Sequence, residues 1–430
     1  MSYERVRGTH DILPAEIGWW QLVETAFRNV ATRYNYREIR VPIIEHTELF
    51  TRGVGEASDL VQKEMYTFAD RKGRSLTLRP EGTASVVRAY LNHGLPTVQP
   101  FQKLYYLGPM FRYEKPQKGR YRQFHQYGIE AIGSLCPTLD VEVIDLAWSL
   151  MTALGLERLG LRLNTIGCSE DRARYREVLR AHFADKIGDM CKDCQRRHIE
   201  NPLRILDCKE PACQQAIAEA PGSADHVCDA CKEHFDEVQR LLDALELSYT
   251  IDSRLVRGLD YYTRTVFELV SEDLGSQDSL LGGGRYDGLS EALGGPPTPA
   301  VGFAGGTDRL IIVAKEHGGL APPVGGVELY VAALGDPARD RALRLAQELR
   351  RAGVTVDLDH RGRSLRRQLD RAGRLDARYL LVLGDREIST GNAALKRMAT
   401  GEETEVSVAV AAIAAQIEEA RGEDRDCLRP

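Results

Sequence analysis

The chain has 430 residues, of which 43 % are hydrophobic and 28 % charged, with a net charge of −6. That length predicts two or three domains, and that composition is ordinary for a soluble globular protein. No apolar run approaches the roughly 20 residues that cross a bilayer, and the opening MSYERVRGTHDILP has no apolar stretch of the signal-peptide kind. A cytoplasmic protein with no membrane partner is expected. The slightly acidic total argues against a dedicated nucleic-acid coat protein while leaving room for a local basic surface.

Apolar residues Trp19, Leu22, Val23, Ala26, Phe27 and Val30 recur at helical spacing between Ala15 and Asn35, just after Pro14. Strands follow in series. The first, REIRVPIIE (Arg37 to Glu45), is broken by Pro42, which points to an edge, a bulge or an interface. The others are Ser75 to Pro80, Phe101 to Glu114 and His125 to Gly133, with a helix from Asp140 to Leu154 behind them. Strands in series after one helix predict an α+β domain, an antiparallel sheet with helices on one face. From Ser169 to about Leu247 the chain is rich in Arg, Asp, Glu and Cys, with helical runs at Asp171–Asp185 and Lys232–Leu245, so it reads as a small, mostly helical insertion. Strand character returns at Ser248 to Ile251, continues through Val270, and resumes in the glycine-punctuated LLGGGRYDGL and VGFAGGTDRLIIVA. The Gly/Pro-rich EHGGLAPPVGG (Glu316 to Gly326) is a linker. Beyond it, strands Val327–Ala333, Val354–Asp357 and Tyr379–Leu383 alternate with helices Ala338–Ala352 and Ser364–Ala372, the pattern of a parallel α/β domain. The expected domains are therefore 1–168 with 248–318, an insertion at 169–247, and 326–430.

Polar residues collect where a sheet core should be. FRYEKPQKGRYRQFHQYGIE (Phe111 to Glu130) reads as two strand-like arms around the loop KPQKGR, with Pro116 and Gly119 as turn residues. Arg112 and Glu114 share one strand face, as do Arg122, Gln126 and Glu130. Such a face is either solvent-facing or the floor of a polar pocket. Glu81 and Thr83 stand on a turn in TLRPEGTAS, and Gly302, Gly305 and Gly306 precede Arg309, allowing a ligand or another backbone to come close. RGLDYYTRTVFE puts Arg257, Gly258, Asp260, Tyr261 and Tyr262 at the mouth of a strand. Strand neighbours point to opposite faces, so the two tyrosines are not both plain core. Six of the nine cysteines crowd into the insertion. Cys191-Lys-Asp-Cys194 and Cys228-Asp-Ala-Cys231 are paired CxxC motifs, the mark of a structural zinc site, with reduced metal-free cysteines as the other reading. The region from Arg339 to Arg378 is locally basic, its charged residues mostly arginine, among them Arg361, Arg363, Arg366, Arg367, Arg371 and Arg374, and it is either a solvated helix face or a nucleic-acid surface.

In combination these stretches resemble the class II aminoacyl-tRNA synthetases, and within them the histidyl-tRNA synthetases. REIRVPIIEHTELF resembles the first signature of the class, with Pro42 at a dimer interface; FRYE…RYRQFHQYGIE resembles the second and VGFAGGTDR the third. RGTHDILP, RGLDYY and GGGRYDGL resemble stretches peculiar to the histidine branch. One departure is Thr307-Asp308-Arg309, where the family usually has a bulkier residue and Glu before the Arg. The resemblance implies a homodimer that activates L-histidine with ATP and Mg²⁺, then transfers it to the 3′ end of tRNA(His). It implies three catalytic arginines: Arg112 on the α-phosphate and substrate carboxylate, Arg257 on the α-phosphate from the histidine side, and Arg309 on the far phosphates with Arg120. Glu114 would hold the adenine end. Glu130 and Tyr262 would bind the imidazole, and Glu81, Thr83 and Gln126 the α-amino group, with Tyr261 nearby. The loop Lys115 to Arg122 would meet the acceptor end of the tRNA, and the C-terminal domain would read the anticodon. A catalytically inactive, synthetase-like regulatory subunit of histidine biosynthesis is the alternative; it would typically lack that domain and the catalytic arginines, and this chain has both. An RNA-sensing module with the fold but not the chemistry would be expected beside a kinase, and no kinase-like segment is present.

Overall fold

Hydrophobic packing divides the chain into two units, Met1–Pro322 and Pro323–Pro430. The computed structural model describes residues 3–56, 58–117, 119–271, 279–322 and 326–426. Lys118 of the basic loop, residues 323–325 of the linker and the last four residues of the expected C-terminal domain lie outside the described residues.

The first unit opens with α1 (Pro14–Arg33), β1 (Arg37–Glu38), β2 (Ile44–His46), α2 (Thr47–Val54), β3 (Tyr66–Ala69) and β4 (Ser75–Leu78). It continues with α3 (Thr83–Asn92), α4 (Leu95–Val98), β5 (Gln102–Phe111), β6 (Gln123–Ile132), α5 (Pro137–Ala153) and β7 (Leu159–Thr165). The Cys-rich segment forms α6 (Ser169–Phe183), α7 (Lys192–Glu200), a 3-10 turn at Pro202–Ile205, α8 (Pro211–Ala218) and α9 (Asp229–Ala244). The chain returns through β8 (Thr250–Ile251), β9 (Thr263–Ser271), β10 (Ser279–Arg285), α10 (Leu289–Ala292), β11 (Ala300–Gly306) and α11 (Thr307–His317).

Eight of these strands make one sheet, in the order β1-β5-β6-β11-β10-β9-β7-β8. Only the two edge pairs, β1 with β5 and β7 with β8, are parallel; the rest are antiparallel, as an α+β layout requires. REIRVPIIE is two strands rather than one. Pro42 has no N–H to give a ladder, and beyond it β2 joins a separate sheet, β2-β4-β3.

Alternation along the central strands separates two faces. Tyr105, Tyr127, Ile129 and Ala131 pack with Phe27 of α1 and Leu150 of α5 on one side. Leu104, Tyr106 and Met110 pack with Phe50 of α2 and Val87 of α3 on the other, so helices cover both faces of the sheet rather than the single face expected. Tyr261 and Tyr262 escape this rule because they lie in the turn ahead of β9. Both are buried in the same cluster, with ring centroids 4.7 Å apart. The mouth of β9 is also bulged: Gly284 pairs with Val266 but Arg285 pairs with Thr263, and Arg264 has φ +49°. A bulge bends a strand and re-aims the side chains beside it.

Arg285 carries its charge into the interior. Its side chain and that of Asp140 in α5 are both 0 % exposed, and the closest contact is 2.6 Å. The guanidinium also bonds the Ser134 carbonyl at 3.0 Å and Asp287 at 3.2 Å, while His234 of α9 lies 3.2 Å from Asp140. Burial pushes the Asp140 carboxyl up, but His234 and Arg285 outweigh it and hold it below its ordinary range.

The second unit runs β12 (Leu329–Ala333), α12 (Asp336–Arg351), β13 (Val356–Leu358), α13 (Leu365–Arg374), β14 (Tyr379–Leu383), α14 (Asp385–Thr390), β15 (Asn392–Arg397), β16 (Glu403–Ser407) and α15 (Val410–Asp426). Its sheet order is β13-β12-β14-β15-β16. The first three strands are parallel, as expected. The last two are antiparallel, because the link through α14 to β15 and the short turn from β15 to β16 are both shorter than the dozen or so residues a parallel crossover needs.

Arg285→Met would leave the Asp140 carboxylate buried without its main partner. It should cost about 3–5 kcal/mol, read as urea unfolding of the first unit. A loss below about 1 kcal/mol, the worth of a surface pair, would contradict this account.

Candidate active site

On the β6 face away from α1, a polar pocket replaces core. Glu81 sits at the start of α3, and its carboxylate accepts the N–H groups of Thr83 at 2.7 Å and Ala84 at 2.8 Å. It therefore caps the helix while remaining buried. The Thr83 hydroxyl donates to Glu130 at 2.7 Å, and the Tyr286 hydroxyl donates to the other Glu130 oxygen. Glu130 is 1 % exposed. Gly302 pairs with it across β11, where a Cβ would lie 2.3 Å from its carboxylate. Gln126, on the same face of β6, is buried, and its side-chain oxygen has no hydrogen-bond partner among the described residues. Tyr261 and Tyr262 complete the group: burial raises both phenols, and the charges of Glu81 and Glu130 raise them further. Burial pushes Glu130 up to about 8, with Glu81 adding to the rise and the bonds from Thr83 and Tyr286 opposing it.

Cations border this pocket. Arg112, just past β5, donates to the Pro80 carbonyl at 2.9 Å and faces the Phe124 ring at 5.4 Å. Glu114 lies 3.8 Å from Arg112 and 3.6 Å from Arg120, so one carboxylate spaces two guanidiniums. Arg309 occupies the first turn of α11, beside Gly119 of the hairpin loop. Arg257 donates to Glu268 at 2.9 Å. Burial works against its charge, and Glu268 more than offsets this. Room for Arg257 comes from Gly282, where a Cβ would lie 1.9 Å from the guanidinium. Arg112 acts electrostatically on Glu81, and Arg257 on Tyr262, so the two charges border different members of the pocket.

Two aspartates bind neighbouring segments. The Asp260 carboxylate accepts the Asn201 amide of the insertion at 2.8 Å. Asp308 accepts the His125 N–H at 2.8 Å and lies 3.5 Å from His10, so it fastens the N-terminal stretch to β6. That stretch also accepts the Arg122 N–H at Gly8, and His10 meets Tyr121 with centroids 4.4 Å apart. Three residues of the insertion were not legible beforehand. Arg172 donates to the carbonyls of Tyr262 at 2.8 Å and Asp260 at 2.7 Å, Arg204 donates to that of Arg257 at 3.1 Å, and Asn201 holds Asp260. Bonds from one segment to the backbone of another leave no spacing pattern. Tyr286, within GGGRYDGL, also joins the pocket, and neither its spacing nor its neighbours mark it beforehand.

The four-cysteine site expected from Cys191, Cys194, Cys228 and Cys231 does not form. Cys191 and Cys194 gather with Cys208 and Cys213, whereas Cys228 and Cys231 gather with Cys168 and Asp171. Each CxxC pair opens a different helix: α7 packs on the 3-10 turn at Pro202–Ile205, and α9 packs on α5. In the second unit, Arg361, Arg366, Arg367, Arg371 and Arg374 are exposed on and around α13, while Arg363 is half-buried against Asp359 at 3.0 Å.

Glu130 gives a pH test. A glutamate in an unfolded chain ionises near about 4.3, and in this fold the value is about 8. Between the two, the folded state keeps a proton that the unfolded state has released. The stability contribution of Glu130 therefore falls as pH rises through that window, then levels off. Thermal melts of Glu130→Gln should gain on the wild type from about pH 5 to about pH 9. A difference that does not change with pH would contradict the buried, raised carboxyl.

A family model described as Histidyl-tRNA synthetase matches residues 8–310, and one described as Anticodon binding domain matches residues 328–419. The histidine--tRNA ligase of Desulforamulus reducens is 50 % identical over 408 residues, covering 95 % of this chain and 97 % of its own. That of Moorella thermoacetica is 50 % identical over 409 residues, covering 95 % and 97 %. The crystal structure of apo S. aureus histidyl-tRNA synthetase superposes with a TM-score of 0.81 at 38 % identity, over 97 % of this chain and 99 % of that one. A Bacillus halodurans structure described as an ATP phosphoribosyltransferase regulatory subunit/histidyl-tRNA synthetase shares the fold, at 21 % identity over 89 % of this chain and 98 % of that one, with a TM-score of 0.64. With both family models in sequence order and half the residues identical to full-length relatives, the chain belongs to the histidyl-tRNA synthetase family.

Proposed function

We propose that the chain is a histidine--tRNA ligase that activates L-histidine with MgATP and then transfers it to the 3′ end of tRNA(His). The observation that carries the reading is the buried pocket of Glu81, Thr83, Gln126, Glu130, Tyr261 and Tyr262 with Arg112 and Arg257 at its borders. We read residues 1–168 with 248–318 as the catalytic domain, 169–247 as its insertion and 326–430 as the anticodon-binding domain. The regulatory alternative is not supported, since relatives half identical over nearly the whole chain are histidine--tRNA ligases.

In activation the histidine carboxylate attacks the α-phosphorus of ATP and pyrophosphate leaves. Negative charge grows on the phosphoryl oxygens, and fixed cations meet it. Arg112 grips the α-phosphate and the carboxylate, Arg257 reaches the α-phosphate from the histidine side, and Arg309 with Arg120 holds the outer phosphates. Arginine suits this task because its planar fork pairs with phosphate through two bonds. Mg²⁺ arrives on the outer phosphates of the substrate with few protein ligands of its own. Glu114 takes the adenine end.

Neutral imidazole offers one donor and one acceptor. Glu130 and Tyr262 meet them, and an analogue that left these groups unpaired would be rejected by roughly 10⁴-fold or more. The α-amino group donates to the Gln126 oxygen, which has no partner among the described residues, with Glu81 supplying charge, Thr83 a further oxygen and Tyr261 a neighbouring wall. The loop Lys115 to Arg122 meets the acceptor end. The exposed arginines around α13 face the anticodon loop, whose unstacked bases are accessible to side chains.

The reading includes a cytoplasmic homodimer. No described helix is long and apolar enough to cross a membrane. Ile43, Ile44 and Phe68, at 40 %, 49 % and 42 % exposure around Pro42 and the β2-β4-β3 sheet, support an interface there.

Histidine-dependent exchange of pyrophosphate into ATP tests the chemistry. Arg257→Ala should lower the activation rate by about 100-fold or more while changing histidine affinity far less. Equal losses in both would mean that Arg257 is a binding residue. Sedimentation tests the dimer: Ile44→Glu should shift the mass toward one chain, and a wild type already monomeric at assay concentration would refute the interface.

A further inference from the structure

Four thiols from separate segments of the insertion meet at one point. Cys191 and Cys194 stand at the start of α7, Cys208 follows the turn at Pro202–Ile205, and Cys213 lies in α8. Their Sγ atoms all lie within 4.8 Å of one another. Cys191 Sγ and Cys208 Sγ are 3.8 Å apart, far beyond the roughly 2.05 Å of a disulfide. A tetrahedral zinc with Zn–S bonds of about 2.3 Å sets its sulfurs about 3.8 Å apart. The Cys191 N–H also points at Cys213 Sγ, 3.3 Å away, the kind of bond that orients a thiolate ligand. The plain alternative is that cysteine serves here as a small core residue. Cys194 and Cys213, fully buried beside Phe183 and Ile205, would suit it. It does not explain why half-buried Cys191 turns its sulfur to the same point as the other three.

The neighbouring group of Cys168, Asp171, Cys228 and Cys231 differs. Its carboxylate is already committed, accepting the N–H of Cys168 at 3.1 Å and of Cys228 at 2.9 Å and pairing with Arg174. Asp171 and Cys168 together close a capping box on α6. That cluster is accounted for as a helix cap.

The chain between Cys194 and Cys208 carries Asn201 and Arg204, which hold Asp260 and the Arg257 carbonyl. It is braced from the other side by Asp59, 2.5 Å from Arg197 and 3.6 Å from Arg204. We propose that Cys191, Cys194, Cys208 and Cys213 bind one zinc ion in a closed four-thiolate site, and that this ion fixes the strap that positions Arg257. The positioning half rests on the catalytic reading above; the metal half does not.

The full chain, purified without chelator, should contain about one zinc per chain by elemental analysis. Cys213→Ser should lose it and Cys228→Ser should keep it. Because Cys213→Ser could unfold the insertion, wild-type protein exchanged with Co²⁺ gives a second readout: intense visible bands of a tetrahedral ion with thiolate-to-metal charge transfer. Wild type that holds no zinc and takes up no Co²⁺ overturns the site, and so does zinc lost with Cys228→Ser but retained in Cys213→Ser. For positioning, metal removal should lower the pyrophosphate-exchange rate of the wild type by about 100-fold, with little further loss in Arg257→Ala. Equal losses in the two proteins overturn the positioning role. A chain that binds zinc but never exchanges pyrophosphate would sink the catalytic reading and leave the metal site standing.

Discussion

Arg285 is charged and lies where water does not reach, and much of the first unit is arranged around that fact. A guanidinium in the interior requires a full set of acceptors. Asp140 comes from α5, Ser134 from the turn after β6, and Asp287 from the chain just beyond β10. Meeting them fixes β10 against α5 and, through His234, brings α9 of the insertion to the same place. The next residue, Tyr286, then reaches Glu130 in the pocket. One buried charge pair thus sets the position of a residue in the candidate site.

The pocket shows how a sheet can be core on one side and chemistry on the other. Odd positions of β5 and β6 pack against α1 and α5, while Gln126 and Glu130 line the opposite face. Burying a carboxylic acid is costly when it ionises. That cost is what raises the Glu130 carboxyl to about 8. Glycines make the geometry possible where another strand or side chain comes too close for a Cβ, as Gly302 does for Glu130 and Gly282 for Arg257.

The insertion is more than an appendage. Arg172, Asn201 and Arg204 hold the turn from Arg257 to Tyr262 by its carbonyls and by Asp260. Turns have few backbone partners of their own, so their precision comes from such outside donors. The bulge at Arg264 adds to this by freeing the strand mouth from regular alternation.

The sequence by itself determined the antiparallel α+β sheet of the first unit, the linker, and Gln126 and Glu130 as polar positions on one face of β6, whereas Arg112, Glu114 and Arg122, read as strand positions, lie just outside β5 and β6. Alternation and glycine spacing are local signals that the chain displays openly. It also carried the family resemblance, through motifs whose order along the chain is itself a constraint. What only the tertiary structure decided was partnership. Tyr261 and Tyr262 share one cluster because the turn, not the strand, sets their direction. Asp260 is held by Asn201 of the insertion, and the two CxxC pairs belong to different clusters. The last strands of the second unit run antiparallel because their link is short. Each of these depends on which distant segment packs nearby, and contacts between remote residues leave no period in a single sequence.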